Sequence, residues 1–159
     1  MYLTKPLLYN SADNETMEKL RIKIPEGTIS VKNRCFSGRD DIVEVILPDS
    51  VQELGAGAFA DCTSLEKITL PAGIRRIKKE LFSGCTALRE ITVPSGTLTI
   101  GEWAFRNCIS LETLIIPVSV AEIAAEAFLS CHNLKLKVKN GSYAQRFAEK
   151  HEIPYETIK

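Results

Sequence analysis

One run of residues, from Phe59 through Cys62, Leu65, Ile68 and Leu70 to Pro71, returns every 23 residues along this chain. Proline stands at 25, 48, 71, 94 and 117, and phenylalanine at Phe36, Phe59, Phe82, Phe105 and Phe128. Cysteine follows at Cys62, Cys85, Cys108 and Cys131, and a branched apolar residue at 42, 65, 88, 111 and 134. Columns in phase over most of a sequence identify a repeat architecture. Each unit is too small to bury its own apolar side, so it stacks on its neighbours and sets like residue on like residue in ladders.

Within one unit, Val51, Leu54, Phe59, Cys62, Leu65, Ile68 and Leu70 are the inward set. Ile68 and Leu70 alternate with Lys67 and Thr69, which is a strand signature, and Leu65 three residues earlier marks a bend leading into it. About seven apolar positions per unit, at roughly 1.5–3 kcal/mol each, supply the gross driving force for stacking. Conformational entropy offsets most of it. Leu20, Ile22 and Ile24 alternate in the same way and end at Pro25, so the expected sheet has six parallel strands, about 25 Å across at about 4.8 Å per strand.

Three segments follow. Residues 1–24 are an N-terminal segment with a degenerate repeat that closes the open end of the sheet, and Asn10–Glu15 within it reads as loop. Residues 25–139 are five 23-residue repeats. Residues 140–159 are a C-terminal capping helix and tail, with Ser142 as N-cap, an apolar face of Tyr143, Ala144, Phe147 and Ala148, and Ile153-Pro154 as the stop. In the last repeat Lys137 and Lys139 hold the inward phase. Leu136 and Val138 are expected inside instead, through a one-residue deletion, because two inward lysines would be buried charges.

Twenty basic residues balance twenty acidic ones. Nothing in that balance favours nucleic acid or an anionic membrane surface. No apolar run of about 18 residues exists, so no membrane span is expected. The first six residues lack the basic start, apolar core and cleavage site of a signal peptide. Two readings stay open: an intracellular protein, or a segment of a longer exported chain.

No catalytic constellation is present: no nucleophile–base pair, metalloprotease helix or phosphate loop. His132 and His151 fall on different elements. Cysteines 23 residues apart form a line rather than the tetrahedral cage of a metal site, so no metal and no cofactor are expected. Disulfides between stacked turns are within reach, but parallel Cβ vectors favour reduced, buried thiols. Cys35 is also expected to be buried.

The outward strand positions are the candidate protein-binding surface. One column is Glu44, Lys67, Glu90 and Thr113; a second is Ile46, Thr69, Thr92 and Ile115; a third is Val43, Glu66, Arg89 and Glu112. Read blandly, Glu44–Lys67–Glu90 is a charge ladder on a solvated face. Read functionally, it belongs to a concave surface that binds another protein, with Val43, Ile46 and Ile115 as apolar contacts. The basic run Arg75-Arg76-Lys78-Lys79 and Trp103 are weaker candidates, the run as solvated charge on an outer strand and Trp103 as packing over a turn.

The unit C-x-x-L-x-x-I-x-[LVI]-P-x-x-[VI]-x-x-[IL]-x-x-x-A-F resembles the BspA-like bacterial leucine-rich repeat, also called the Treponema pallidum type. Gly141-Ser142-Tyr143-Ala144 leading into a helix is similar to that family's usual end. The resemblance implies an α/β repeat fold: a right-handed solenoid with a parallel sheet on one face. It also implies a non-enzymatic protein-binding domain, often part of a cell-surface or secreted bacterial protein involved in adhesion to host proteins. The alternatives are an intracellular scaffold and an architectural spacer. The partner is an unidentified protein, and a monomer is the expected state. Two departures stand out. Ser50, Gly73, Gly96 and Ser119 replace the asparagine ladder of other leucine-rich classes, and Arg39 stands where the first cysteine is expected.

Overall fold

The computed structural model describes residues 19–159 together with two short N-terminal strands, β1 (Tyr2–Leu3) and β2 (Leu7–Tyr9). The Asn10–Glu15 segment lies outside the described residues. From residue 20 the chain winds as a right-handed solenoid of parallel strands. Its principal row is β3 (Leu20–Lys23), β5 (Ile42–Ile46), β7 (Lys67–Thr69), β9 (Glu90–Thr92), β11 (Thr113–Ile116) and β13 (Lys135–Lys139). A second row of two-residue strands, β4 (Ser30–Val31), β6 (Glu53–Leu54), β8 (Arg76–Ile77), β10 (Thr99–Ile100) and β12 (Glu122–Ile123), runs along another side. Helix α1 (Tyr143–Lys150) and strand β14 (Tyr155–Ile158) complete the chain.

Register follows the repeat: Val45 lies opposite Ile68, Ile77 opposite Ile100 and Ile91 opposite Leu114. The expected six-strand sheet needs correction in two ways. Strands are added at both ends, with β2 antiparallel to β3 and β14 parallel to β13. Neither row is continuous: the principal row divides into β2-β3-β5-β7 and β14-β13-β11-β9, and the second into β1-β4-β6 and β12-β10-β8. Both breaks fall between the same two turns.

The core is a set of ladders. The rings of Phe36, Phe59, Phe82, Phe105 and Phe128 stack at centroid separations of 5.4, 5.8, 5.5 and 5.8 Å, and Phe147 of α1 closes the stack edge-on at 6.1 Å. Beside it, each cysteine Sγ donates to the phenylalanine carbonyl of the turn before. Cys62 reaches Phe36 O at 3.2 Å, Cys85 Phe59 O at 3.2 Å, Cys108 Phe82 O at 3.1 Å and Cys131 Phe105 O at 2.9 Å. The first turn has Arg39 at this position. Its side chain turns instead to Asp41, which it holds through two 2.7 Å bonds.

Two buried polar residues interrupt the Val51–Ile74–Val120 column. Thr28 and Thr97 have no exposed surface, and their hydroxyls donate to Pro25 O and Ile74 O at 2.7 Å. A threonine therefore fits an apolar column by bonding the backbone it packs against.

The turns outside the strands cross into the left-handed region at fixed positions. One column is Arg34, Gly57, Glu80 and Trp103; another is Gly38, Asp61, Gly84, Asn107 and Ser130. Side chains other than glycine are strained there, by roughly 1–2 kcal/mol per residue. Main-chain bonds between neighbouring turns, such as Gly57 N to Lys79 O at 3.0 Å, hold that conformation.

At the C-terminal end β13 pairs with β11 at an offset of 22 residues, Leu114 opposite Leu136 and Ile116 opposite Val138. Leu136 and Val138 are fully buried. Lys135 and Lys139 are exposed and Lys137 is partly so. Ser142 Oγ accepts from Gln145 N at 3.1 Å, which caps α1. Ala144, Phe147 and Ala148 are its buried face. The segment after Ile153-Pro154 is a further strand rather than a tail.

Candidate functional site

The outward side of the principal row carries the candidate contact residues. Glu66, Lys67, Thr69, Arg89, Glu90, Thr92 and Glu112 are exposed. Val43, Glu44, Thr113 and Ile115 are half-buried, so two of the expected apolar contacts offer only part of their surface. Ile46 is 45% exposed. Alternation in each strand places these side chains outward because their neighbours Val45, Ile68, Ile91 and Leu114 fill the core.

Charge on this face is organised in blocks. Glu44 takes both Arg21, at 3.5 Å, and Lys67, at 3.4 Å, from the strands on either side. Arg89 meets Glu112 at 3.2 Å, and Glu156 of β14 takes Lys135 at 2.8 Å and Lys137 at 3.6 Å. The expected continuation from Lys67 to Glu90 does not form. Exposed pairs of this kind contribute only a few tenths of a kcal/mol each. Their pattern nevertheless coincides with the broken backbone, since no ion pair on this face bridges β7 and β9.

At that break lies an open cleft of about 960 Å³. Glu66 to Leu70 form one wall and Arg89 to Thr92 the other, with Thr86, Ala87, Ile109 and Ser110 along one side. Ile109 is 50% exposed there. Periodicity did not single out Thr86, Ala87, Ile109 and Ser110, because they lie on the turn before the strand. Ile109 in the column of Thr63, Thr86 and His132 was the available signal.

The other candidates separate from this face. Lys78 pairs with Glu53, and Lys79 Nζ lies 3.2 Å from Glu102, so acidic neighbours offset the basic run. Arg75 Nη1 donates to Gly96 O at 3.2 Å. Trp103 is half-buried on the turn side, with Lys79 Nζ 4.5 Å from its ring centre and the Arg106 guanidinium 5.6 Å away. His151 stacks on Phe147 at 4.3 Å, and His132 is exposed on a turn.

The cysteine ladder is a buried structural element. Cys62, Cys85 and Cys108 are inaccessible, and Cys131 at the end of the row is half-buried. Burial pushes the Cys62 thiol up to about 12 and raises Cys85 as well. Cys108 is raised by its hydrogen bond to Cys131 and then by burial. Cys35, in a different column, is half-buried and raised by desolvation. Among the described residues no group of three or more His, Cys, Asp or Glu side chains is placed to hold a metal ion.

Stacked turns of a strand, a bend and a second short strand, with one sheet face left open, define a leucine-rich-repeat solenoid. A family model described as the BspA type leucine rich repeat region matches residues 11–135 in six copies, and the chain belongs to this family. Leucine-rich-repeat domains of this kind are typically non-enzymatic and typically bind proteins.

The chain is similar to the crystal structure of a leucine rich cell surface protein from Faecalibacterium prausnitzii. That match has 29% identity and a TM-score of 0.75, and covers 91% of this chain and 40% of that one. It is similar to the T. pallidum leucine-rich repeat protein at 30% identity and a TM-score of 0.69, over 83% of this chain and 68% of that one. A leucine-rich repeat protein from Bacteroides ovatus matches at 27% identity and a TM-score of 0.70, over 86% and 40%. The chain thus spans about two fifths of the F. prausnitzii and B. ovatus structures. Among curated proteins none matches this sequence. Among the described residues no helix is long and apolar enough to cross a membrane.

Proposed function

We propose that this chain is a non-enzymatic, protein-binding domain of a bacterial cell-surface or secreted protein, and that the open face of the principal row meets the partner. The observation that carries this reading is the face itself. Carboxylates, cations, hydroxyls and Ile109 are presented together around the cleft between β7 and β9, with Ile46 exposed on the neighbouring strand, while the inward positions are spent on the core. Such a mixed polar surface suits a folded protein partner. With twenty charges of each sign, nothing in the chain favours a polyanion. Solenoids characteristically use extended sheet faces in this way. The cell-surface assignment is supported by the F. prausnitzii relative, whose description names it a cell surface protein.

Antibody labelling of intact and permeabilised source cells tests the location. Labelling of intact cells is expected, and labelling only after permeabilisation would contradict the surface assignment. Binding of the purified chain to a panel of extracellular host proteins tests the activity. Saturable binding to at least one is the expected result, and no binding to any member counts against the adhesion reading.

A further inference from the structure

The junctions between turns repeat three main-chain hydrogen bonds. Ahead of the second-row strand, Gln52 N donates to Ile29 O at 2.8 Å, Leu98 N to Arg75 O at 2.8 Å and Ala121 N to Leu98 O at 2.9 Å. Just after that strand, Gly55 N donates to Val31 O at 2.8 Å, Gly101 N to Ile77 O at 2.8 Å and Ala124 N to Ile100 O at 2.9 Å. Leading into the principal strand, Glu66 N donates to Val43 O at 2.9 Å, Glu112 N to Arg89 O at 2.8 Å and Lys135 N to Glu112 O at 2.9 Å. In the turn that starts at Pro71 these positions are Arg75, Lys78 and Arg89. None of their amides donates to the turn before. All three losses fall at one junction, where both strand rows are also unpaired.

The opposite side of that junction stays closed. Gly57 N donates to Lys79 O at 3.0 Å, Phe59 N to Leu81 O at 3.1 Å and Asp61 N to Ser83 O at 2.7 Å, and the Phe59 and Phe82 rings remain stacked. On the strand side, among the described residues, only side-chain contacts cross this junction, Lys78 with Glu53 and Thr86 Oγ1 donating to Thr63 O at 3.1 Å; an edge with main-chain bonds opposite one without them is the geometry of a hinge.

The sequence cause lies in one column, Gly55, Lys78, Gly101 and Ala124 in the turns that stack on a preceding repeat; Lys32 holds the same place in the first turn, where the neighbour is the N-terminal strand β1. A Cβ on Gly55 would sit 2.3 Å from Asn33 N, and one on Gly101 2.8 Å from Lys79 N, so the backbone of the previous turn occupies that space. Both glycines keep the strand-side bond, and their turns also keep the bond on the far side, Arg34 N to Ala56 O and Glu80 N to Glu102 O, each at 3.0 Å. Where the column carries a side chain, one bond is given up. Ala124 keeps the strand side, and Trp103 N finds no partner at Ala125 O. Lys78 keeps the turn side and loses the strand side.

We propose that the junction between Leu70 and Pro71 is a built-in joint. Residues 20–70 and 71–158 form two hydrogen-bonded blocks that open and close on the sheet side about the Phe59–Phe82 contact, and Lys78 sets the joint. Opening widens the cleft between β7 and β9. The joint is a property of the free chain and stands whether or not that face binds a partner.

Native-state amide exchange of the 15N-labelled full chain, followed by NMR, tests it. Arg75 and Arg89 should exchange faster than Gln52, Leu98, Glu66 and Glu112 by about tenfold or more, since unbonded surface amides open with little free energy. Lys78→Gly and Lys78→Ala should both slow Arg75 and Arg89 toward their counterparts, since Gly55, Gly101 and Ala124 in the same column all keep the strand-side bond. Equal protection across all turns in the wild-type chain would overturn the joint. Fast exchange unchanged in Lys78→Gly would overturn Lys78 as its cause.

Discussion

Cys85 Sγ donates to Phe59 O of the preceding turn at 3.2 Å, and the same carbonyl accepts Cys62 N at 3.3 Å. One oxygen thus serves a bond within its own turn and another between turns. The thiol supplies a weak donor at a fully buried position, which an alanine or valine could not do. Cys85→Ala removes both the donor and a buried atom. It should lower stability by about 1–2 kcal/mol in urea unfolding. A change under about 0.5 kcal/mol, the surface norm, would show that the bond contributes nothing.

Alkaline pH should unfold this protein through the same column. Cys62 is raised to about 12 and Cys85 is raised by burial, so the folded chain holds protons that the unfolded chain releases near the ordinary thiol range. A raised folded value means that the stability is fully present below the unfolded value and is lost as pH rises from it toward the folded one. Stability should therefore fall above pH of about 9, with a slope of up to about 1.4 kcal/mol per pH unit for each such thiol. Urea unfolding from pH 7 to 10.5 checks this, with Cys85→Ala showing the shallower decline.

Thiol labelling separates the C-terminal end of the ladder from the rest. Half-buried Cys131, lowered by its hydrogen bond with Cys108, should react first with a disulfide reagent in the native protein. Cys62, Cys85 and Cys108 should react only after denaturation, when all five cysteines label. Mass spectrometry of the native digest identifies the site, and early labelling of Cys85 would contradict the buried assignment.

Phe82→Ala should cost about 3–5 kcal/mol, because its ring is stacked on both sides, at 5.8 and 5.5 Å, and has no exposed surface. Phe128, at the end of the stack and 8% exposed, should cost less. Urea midpoints of the two variants, compared at constant slope, give the order.

At acid pH the Arg39–Asp41 pair should be lost. Arg39 bonds hold the Asp41 carboxyl below its ordinary value. A lowered folded value means stability that is present above the unfolded value, about 3.9, and lost as pH falls through the folded one. Asp41→Asn should therefore lose less stability between pH 5 and 2 than the wild-type chain, as read by thermal unfolding.

The period of 23 made the core legible, because each ladder requires the same residue type at the same phase. Even the slip at Leu136 and Val138 could be read, since the alternative buried Lys137 and Lys139. β14 was not legible: helix α1 stands between it and the repeats, so Tyr155–Ile158 has no phase to inherit. The break between β7 and β9 was hidden for the opposite reason. Every inward column runs through it without interruption, and the mark it leaves is Lys78 standing between Gly55 and Gly101 in a column that also holds Lys32 and Ala124. On the face itself, periodicity located the strand positions but not Ile109, and it suggested a charge ladder that stops at Lys67.

The central claim, that the open sheet face holds a protein partner, is tested most directly by comparing two variants against a host protein that binds the wild-type chain. One carries Glu66→Lys, Arg89→Glu and Glu90→Lys on the cleft walls. The other carries Gln52→Lys, Arg76→Glu and Glu122→Lys on the second row. Loss of affinity by about tenfold or more in the first, with the second unchanged, is the predicted result, since charge reversal at a contact surface costs at least about 1.4 kcal/mol. Equal binding by the first variant and the wild-type chain, or loss only in the second, would contradict it.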